Sequence, residues 1–212
     1  MRKIAQREDI RDLILDGVDT LLARFGFKKM TMEDLAREVG IGKGTIYLHF
    51  PSKEELALAH VDRIAVRLLD RLRRIAVGPG SPRSRLKEML LARVLFRFDS
   101  VSHYSQNIND LLSAVRKDLL ARRQAHFENE ADVLADVLRE GCAKGVFRGA
   151  DVRTAAHVLV WSTNSLLPFS LTAKELGARE KLKKRAAAIA DTLLDGLARR
   201  PSVSSKPRRK RL

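Results

Sequence analysis

The polar side chains with the most suggestive spacing lie in residues 31–56, TMEDLAREVGIGKGTIYLHFPSKEEL. Ile46 and Phe50 are four apart and mark the inward side of a short helix, which leaves Lys43, Thr45, Tyr47 and His49 on its outer faces. The chemistry this set offers is recognition. Lys43 brings a point charge for a phosphate or a donor to guanine, and Thr45 a hydroxyl and a methyl for a phosphate or a thymine methyl. Tyr47 and His49 can donate to phosphates, and His49 can also reach a base edge. Lys53 falls at the next helix start, where backbone N–H groups also favour a phosphate. Nothing comparable supports catalysis or metal binding. The histidines (His49, His60, His103, His126, His157) are scattered, and Cys142 is the one cysteine, read as a small core residue. No Ser-His-Asp set or carboxylate pair has a context, and Gly40, Gly42 and Gly44 do not follow a strand as a phosphate loop would. No enzyme activity, metal or cofactor is expected.

The elements that must position these side chains are legible from local signals. Thr31 and Asp34 form a capping-box pattern, and Glu33 and Asp34 suit the first turn of a helix. Gly40 ends that helix in a left-handed conformation, Ile41 plugs the turn, and Gly42 or Lys43 opens the next helix. Pro51 stops it, and Ser52 with Glu55 caps the following one. Ahead of them, Ile10, Leu13, Ile14, Gly17, Val18, Leu21, Leu22 and Phe25 recur at helical spacing, and Gly26 closes a helix from about Arg7. The expected core is Leu13, Leu21, Leu35, Val39, Ile46 and Phe50. Helix, glycine turn and second helix form the layout of a helix-turn-helix, whose second helix enters the DNA major groove. Pattern alone also allows a small helical hairpin with a solvated face.

Thr31, Leu35-Ala36, Gly40-Ile41, Lys43-Gly44-Thr45-Ile46-Tyr47, His49-Phe50 and Ser52-Lys53-Glu54 with Leu56 together resemble the N-terminal signature of TetR-family transcriptional regulators, over roughly residues 8–60. The resemblance implies that Thr31, Lys43, Thr45, Tyr47, His49 and Lys53, together with Gly42 and Gly44, face DNA. Gly42 departs from the family, which has serine there as the cap of the recognition helix. Glycine is an adequate cap, a few tenths of a kcal/mol worse, but it removes one phosphate ligand.

The formal charge of +15 adds little to the DNA argument, because residues 1–60 carry as many acidic as basic residues. The excess sits in residues 61–200 and in the Ser-, Pro-, Lys- and Arg-rich end. It can steer association with DNA, or it can simply confer solubility. No apolar run approaches the roughly 20 residues needed to cross a bilayer. The segment MRKIAQREDIRDLIL has no signal-peptide core, so a cytoplasmic setting is expected, with no membrane partner. Helical periodicity continues to about Arg200 without useful strand alternation, broken most strongly at Gly78-Pro79-Gly80-Ser81-Pro82. The expectation is an all-α chain: a DNA-binding domain at 1–51, a helical effector-binding and dimerisation domain at 52–200, and a disordered basic tail at 201–212.

Two late helices carry apolar stripes with small residues, including Val158, Ser162 and Leu166 on one and Ala186, Ile189, Ala190, Leu193 and Leu197 on the other. Periodicity lets these stripes face either their own core or a second subunit. The resemblance implies the latter, a homodimer through a four-helix bundle. It further implies a pocket for a small-molecule inducer, expected to draw on Phe96, His103, Tyr104, Asn107, Trp161 and Asn164, an aromatic set with polar handles. The expected function is a repressor that binds a palindromic operator in double-stranded DNA as a dimer and is released by a ligand. The competing class is a non-specific architectural DNA-binding protein, driven by the net charge and the basic tail.

Overall fold

The structure, a computed structural model, describes residues 2–149, 151–168, 175 and 177–199, with the side chains of 2–8 and 105–107 left out. The expected basic tail lies outside the described residues. The chain is all-α; among the described residues the only β feature is a single bridge between Phe147 and Ala198. Helix α1 spans Arg2–Lys29, α2 Met32–Val39, α3 Lys43–His49 and α4 Lys53–Ala76. Then follow α5 (Pro82–Val101), a 3-10 segment (Ser102–Asn107), α6 (Ile108–Ala114), α7 (Arg116–Ala143), α8 (Val152–Ser162), a 3-10 turn (Asn164–Leu166) and α9 (Arg179–Leu197).

The helix ends follow the local chemistry. Gly26 breaks α1 with φ 71°, so the chain leaves the helical path where the sequence stops its apolar stripe. The Thr31 hydroxyl accepts from the Asp34 N–H, and the Asp34 carboxylate accepts from the Thr31 N–H, a complete capping box. Ser52 accepts from the Glu55 N–H, and Ser81, followed by Pro82, accepts from the Ser84 N–H. Asp151 caps α8 by accepting from the N–H groups of Arg153 and Thr154. Each such cap stabilises its helix by about 1 kcal/mol.

Two apolar cores fill the molecule. The first joins α1, α2 and α3 through Ile14, Leu21, Leu35, Ile46 and Phe50. It then continues into Leu56–Ala59 of α4, Tyr104, Ile108 and Leu111 of the 3-10 segment and α6, and Leu119 of α7. The second joins the rest of α4 to α5, α7, α8 and α9. The boundary expected at 51/52 therefore falls inside one continuous core. Leu13 is a correction to the expected core: it is 48% exposed, because the buried stripe of α1 runs through Ile14, Leu15 and Val18 instead. Val39 is only half-buried, at the rim.

Candidate functional site

The α2–turn–α3 unit is held against α1 by close approach. A Cβ at Gly17 would lie 2.6 Å from Val39 and 3.0 Å from Leu35, so glycine lets α2 seat directly on α1. Gly40 takes φ 74°, which turns the chain sharply enough to set α3 across α2. Gly42 then starts α3 with extended φ/ψ and no side-chain cap, as its lack of a side chain requires. Ile46 and Phe50 anchor α3 inward. Arg11 braces its far end, donating to the His49 carbonyl at 3.3 Å and lying 4.4 Å over the Phe50 ring.

The outer face of α3 carries Tyr47, 44% exposed, and Leu48, 78% exposed, with Gly42, Lys43 and Gly44 at its start. Thr45 and His49 are half-buried beside them. Not every expected DNA contact stands ready. Lys43 is ion-paired with Glu33 of α2, and this pairing raises its pKa. Lys53 donates to the Lys28 carbonyl at 3.3 Å and lies 4.5 Å over the Phe27 ring; partial burial lowers its pKa. The Thr31 hydroxyl is spent on its capping box. Leu48 is the residue that the sequence reading missed. Its signal was available, since it lies four residues after Gly44, opposite Ile46, where an apolar side chain has no core to enter.

An apolar cavity of about 70 Å³ lies between α4, α5, α6 and α7, walled among others by Ile64, Val101, Tyr104, Leu112 and Phe127. Arg97, Arg123 and His126 also reach its lining. Of the expected ligand residues whose side chains are described, only Tyr104 lines it. Phe96 and His103 border a separate crevice with Arg63 and Arg67. Trp161 is 54% exposed on the outside of α8, its ring tilted against that of His157 at 5.4 Å between centroids. Asn164 accepts from Arg93 at 2.6 Å as part of a buried ion cluster, and the Asn107 side chain lies outside the described residues. Aromatic type marked these positions, but helix phase decides which wall they join.

Tyr104 links this cavity to the DNA-binding helices. Its hydroxyl lies 2.9 Å from His60 Nε2, and both residues are buried. Asp19 of α1 sits 3.5 Å from the same nitrogen and 3.2 Å from Arg63, which also pairs with Asp16 at 2.6 Å. Burial, with Arg63 nearby, holds the His60 pKa down to about 3, so the ring is neutral. Burial also raises the pKa of Tyr104 and of Asp19.

Residues 14–60 match the family model of the bacterial regulatory proteins of the tetR family. This N-terminal unit is a tetR-family DNA-binding domain. The HTH-type transcriptional repressor KstR2 of Mycolicibacterium smegmatis is 28% identical over 145 residues, covering 65% of this chain and 67% of the relative. KstR of the same organism is 25% identical over 206 residues, covering 94% and 93%. A solved transcriptional regulator from Cytophaga hutchinsonii superposes with a TM-score of 0.75 at 21% identity, covering 89% of this chain and 98% of that one. With these relatives, the matched N-terminal unit makes the chain a DNA-binding transcriptional regulator, not an enzyme.

The late helices keep part of the expected stripe outward and turn part of it in. Leu166, Ala186 and Ala190 are corrections, since the subunit's own core buries them at 6%, 0% and 0% exposure. Ile189, Leu193 and Leu197 are half-buried and pack on that core from its edge. Val158 at 39% and the half-buried Ser162 remain open on α8, beside Trp161. On α9 the open positions include Arg185, Ala188, Thr192 and Gly196.

Proposed function

We propose that the chain is a repressor that binds a palindromic operator as a homodimer and leaves it when a small molecule enters the cavity beside Tyr104. The observation that carries the reading is the outward face of α3, where Tyr47 and Leu48 stand open on a helix-turn-helix whose first helix is closed by a capping box. Tyr47 offers a phosphate donor, and Leu48 an apolar surface for a thymine methyl. Lys43 joins them by exchanging Glu33 for a phosphate.

A dimer is favoured because one short helix reads few base pairs, whereas two set a DNA turn or more apart read a palindrome. Val158 and Trp161, with the small residues Ala188 and Gly196, offer an apolar patch on α8 and a close-approach surface on α9 for a second copy. Ligand control is favoured by the position of Tyr104. It lines the cavity and also contacts His60, which shares Asp19 with Arg63, so a ligand that moves the 3-10 segment disturbs the seat of α1. Its effect on operator affinity is bounded by its differential affinity for the two arrangements.

The test is selection of an operator from a random duplex pool, followed by competition against bulk DNA and sedimentation of the complex. The expected result is a palindromic site, two chains per site, and a preference over bulk DNA of at least about a thousandfold. Tyr47→Ala is expected to lose that binding with its melting temperature intact. Near-equal affinity for bulk DNA would instead establish an architectural protein.

A further inference from the structure

The ion cluster behind the cavity does not balance. Arg93 is fully buried and each of its three nitrogens has a partner: Nε donates to Glu130, Nη1 to the Thr163 hydroxyl and Nη2 to Asn164 Oδ1. Arg97, one turn further along α5 and 8% exposed, donates Nη2 to the other oxygen of the same Glu130 and Nη1 to the Arg93 carbonyl. A guanidinium carries five N–H donors, so among the described residues the carboxylate and carbonyl leave Arg97 with donors to spare. Among the described residues two guanidiniums thus face one carboxylate, and Glu130 is itself only 1% exposed.

The surplus charge borders the cavity, because Arg97 is part of its wall while Arg93 and Glu130 lie behind. Among the described lining residues there is no carboxylate. The ionisable groups are Arg97, His126, the Tyr104 hydroxyl and Arg123, which has a partner of its own and adds nothing to the surplus, in a wall that is otherwise apolar. The nearest carboxylate to His126 is Asp62, 2.9 Å away, and it is shared with Arg122 at 2.7 Å. A desolvated positive charge next to an apolar space is costly until an anion answers it. A cationic guest would deepen that cost, and a neutral one would leave it as it is.

We infer that the cavity, which is open on one side, takes an apolar molecule bearing one anionic head, a carboxylate or a phosphate, with Arg97 as the partner of the head, Ile64, Val101 and Leu112 against the first part of the tail, and the rest of the tail leaving by the open side. This rests on the reading of the cavity as the ligand site. It concerns the ligand's chemistry and is separable from whether the ligand releases DNA.

The experiment measures binding of octanoate, octyl phosphate, octanol and octylamine to the full-length protein by calorimetry, with operator release followed separately. At least one of the two anions should bind about ten- to a hundredfold more tightly than octanol, the usual gain from a hydrogen bond to a charged group. Octylamine should bind most weakly, and the tighter anion identifies the head as carboxylate or phosphate. Arg97→Met leaves Arg93 and Glu130 as a balanced pair and should remove the preference for the anion while keeping octanol affinity. Equal binding of octanol and both anions, stronger binding of octylamine, binding of none of the four up to their solubility, or an unchanged anion preference in Arg97→Met would each overturn the assignment. The wild-type series decides it even if the variant does not fold. Anion binding without operator release would uphold it and overturn the inducer reading alone.

Discussion

Replacing Gly44 with alanine should strengthen the fold and weaken DNA binding. Gly44 lies inside α3 with a negative φ, and a Cβ built there meets nothing within 4 Å, so neither the backbone nor the packing requires glycine. Glycine inside a helix costs roughly 0.5–1 kcal/mol relative to alanine. For a chain of this size that gain corresponds to a melting temperature higher by about 1–4 °C. The space the methyl group would fill is the exposed approach to α3 beside Lys43 and Tyr47, where a sugar-phosphate backbone would come closest. Losing one charge-assisted contact there costs about 1.5–3 kcal/mol, or about ten- to a hundredfold in affinity. Thermal melting and fluorescence anisotropy on a selected operator, at one fixed salt concentration, read both effects from the same preparation. A raised melting temperature with wild-type affinity would refute the argument that this glycine is kept for close approach.

Two further outcomes follow from the buried groups. Glu130→Gln leaves Arg93 and Arg97 without their counter-charge and should destabilise the fold by about 3–5 kcal/mol; a loss in urea unfolding no larger than that of Arg97→Met would show that the cluster is not held by that charge. His60 stays neutral in the folded protein, with its pKa near 3, whereas the unfolded chain takes up the proton below about pH 6.5. Its contribution is therefore complete above pH 6.5 and is lost as the pH falls towards 3, by up to about 1.4 kcal/mol per pH unit. His60→Gln should flatten the decline in urea-unfolding free energy between about pH 7 and about pH 5, and an unchanged slope would contradict the buried neutral ring.

The parts of this architecture legible in the sequence are those fixed by near neighbours. Thr31 with Asp34, Gly40, Ser52 with Glu55, and Ser81 with Pro82 each decide a helix end within a few residues, and the structure places those ends there. Contacts made across helices were less legible. Lys43 reads as a free cation until α2 brings Glu33 beside it. The Arg93–Glu130–Arg97 cluster was missed because arginines on a helix are usually solvated. Their phase carried the signal, since Arg85, Arg93 and Arg97 fall on the same stripe as Leu86, Met89, Leu90 and Val94. The late stripes show the reverse error. Ala186 and Ala190 have the small size that suits a subunit interface, but α9 lies against α5 and spends them there.

The continuity of the first core has a consequence for anyone who would transplant this reading head. Its underside is completed by Val101, Tyr104, Ile108, Leu111 and Leu119, all far along the chain from α3. A graft of residues 1–51 onto a foreign helical body would leave Ile14, Leu21 and Phe50 resting on side chains never fitted to them. Chimeras that exchange DNA specificity should therefore leave the fold's joints alone and rewrite only the outer face of α3, or carry the 3-10 segment and α6 across with the head.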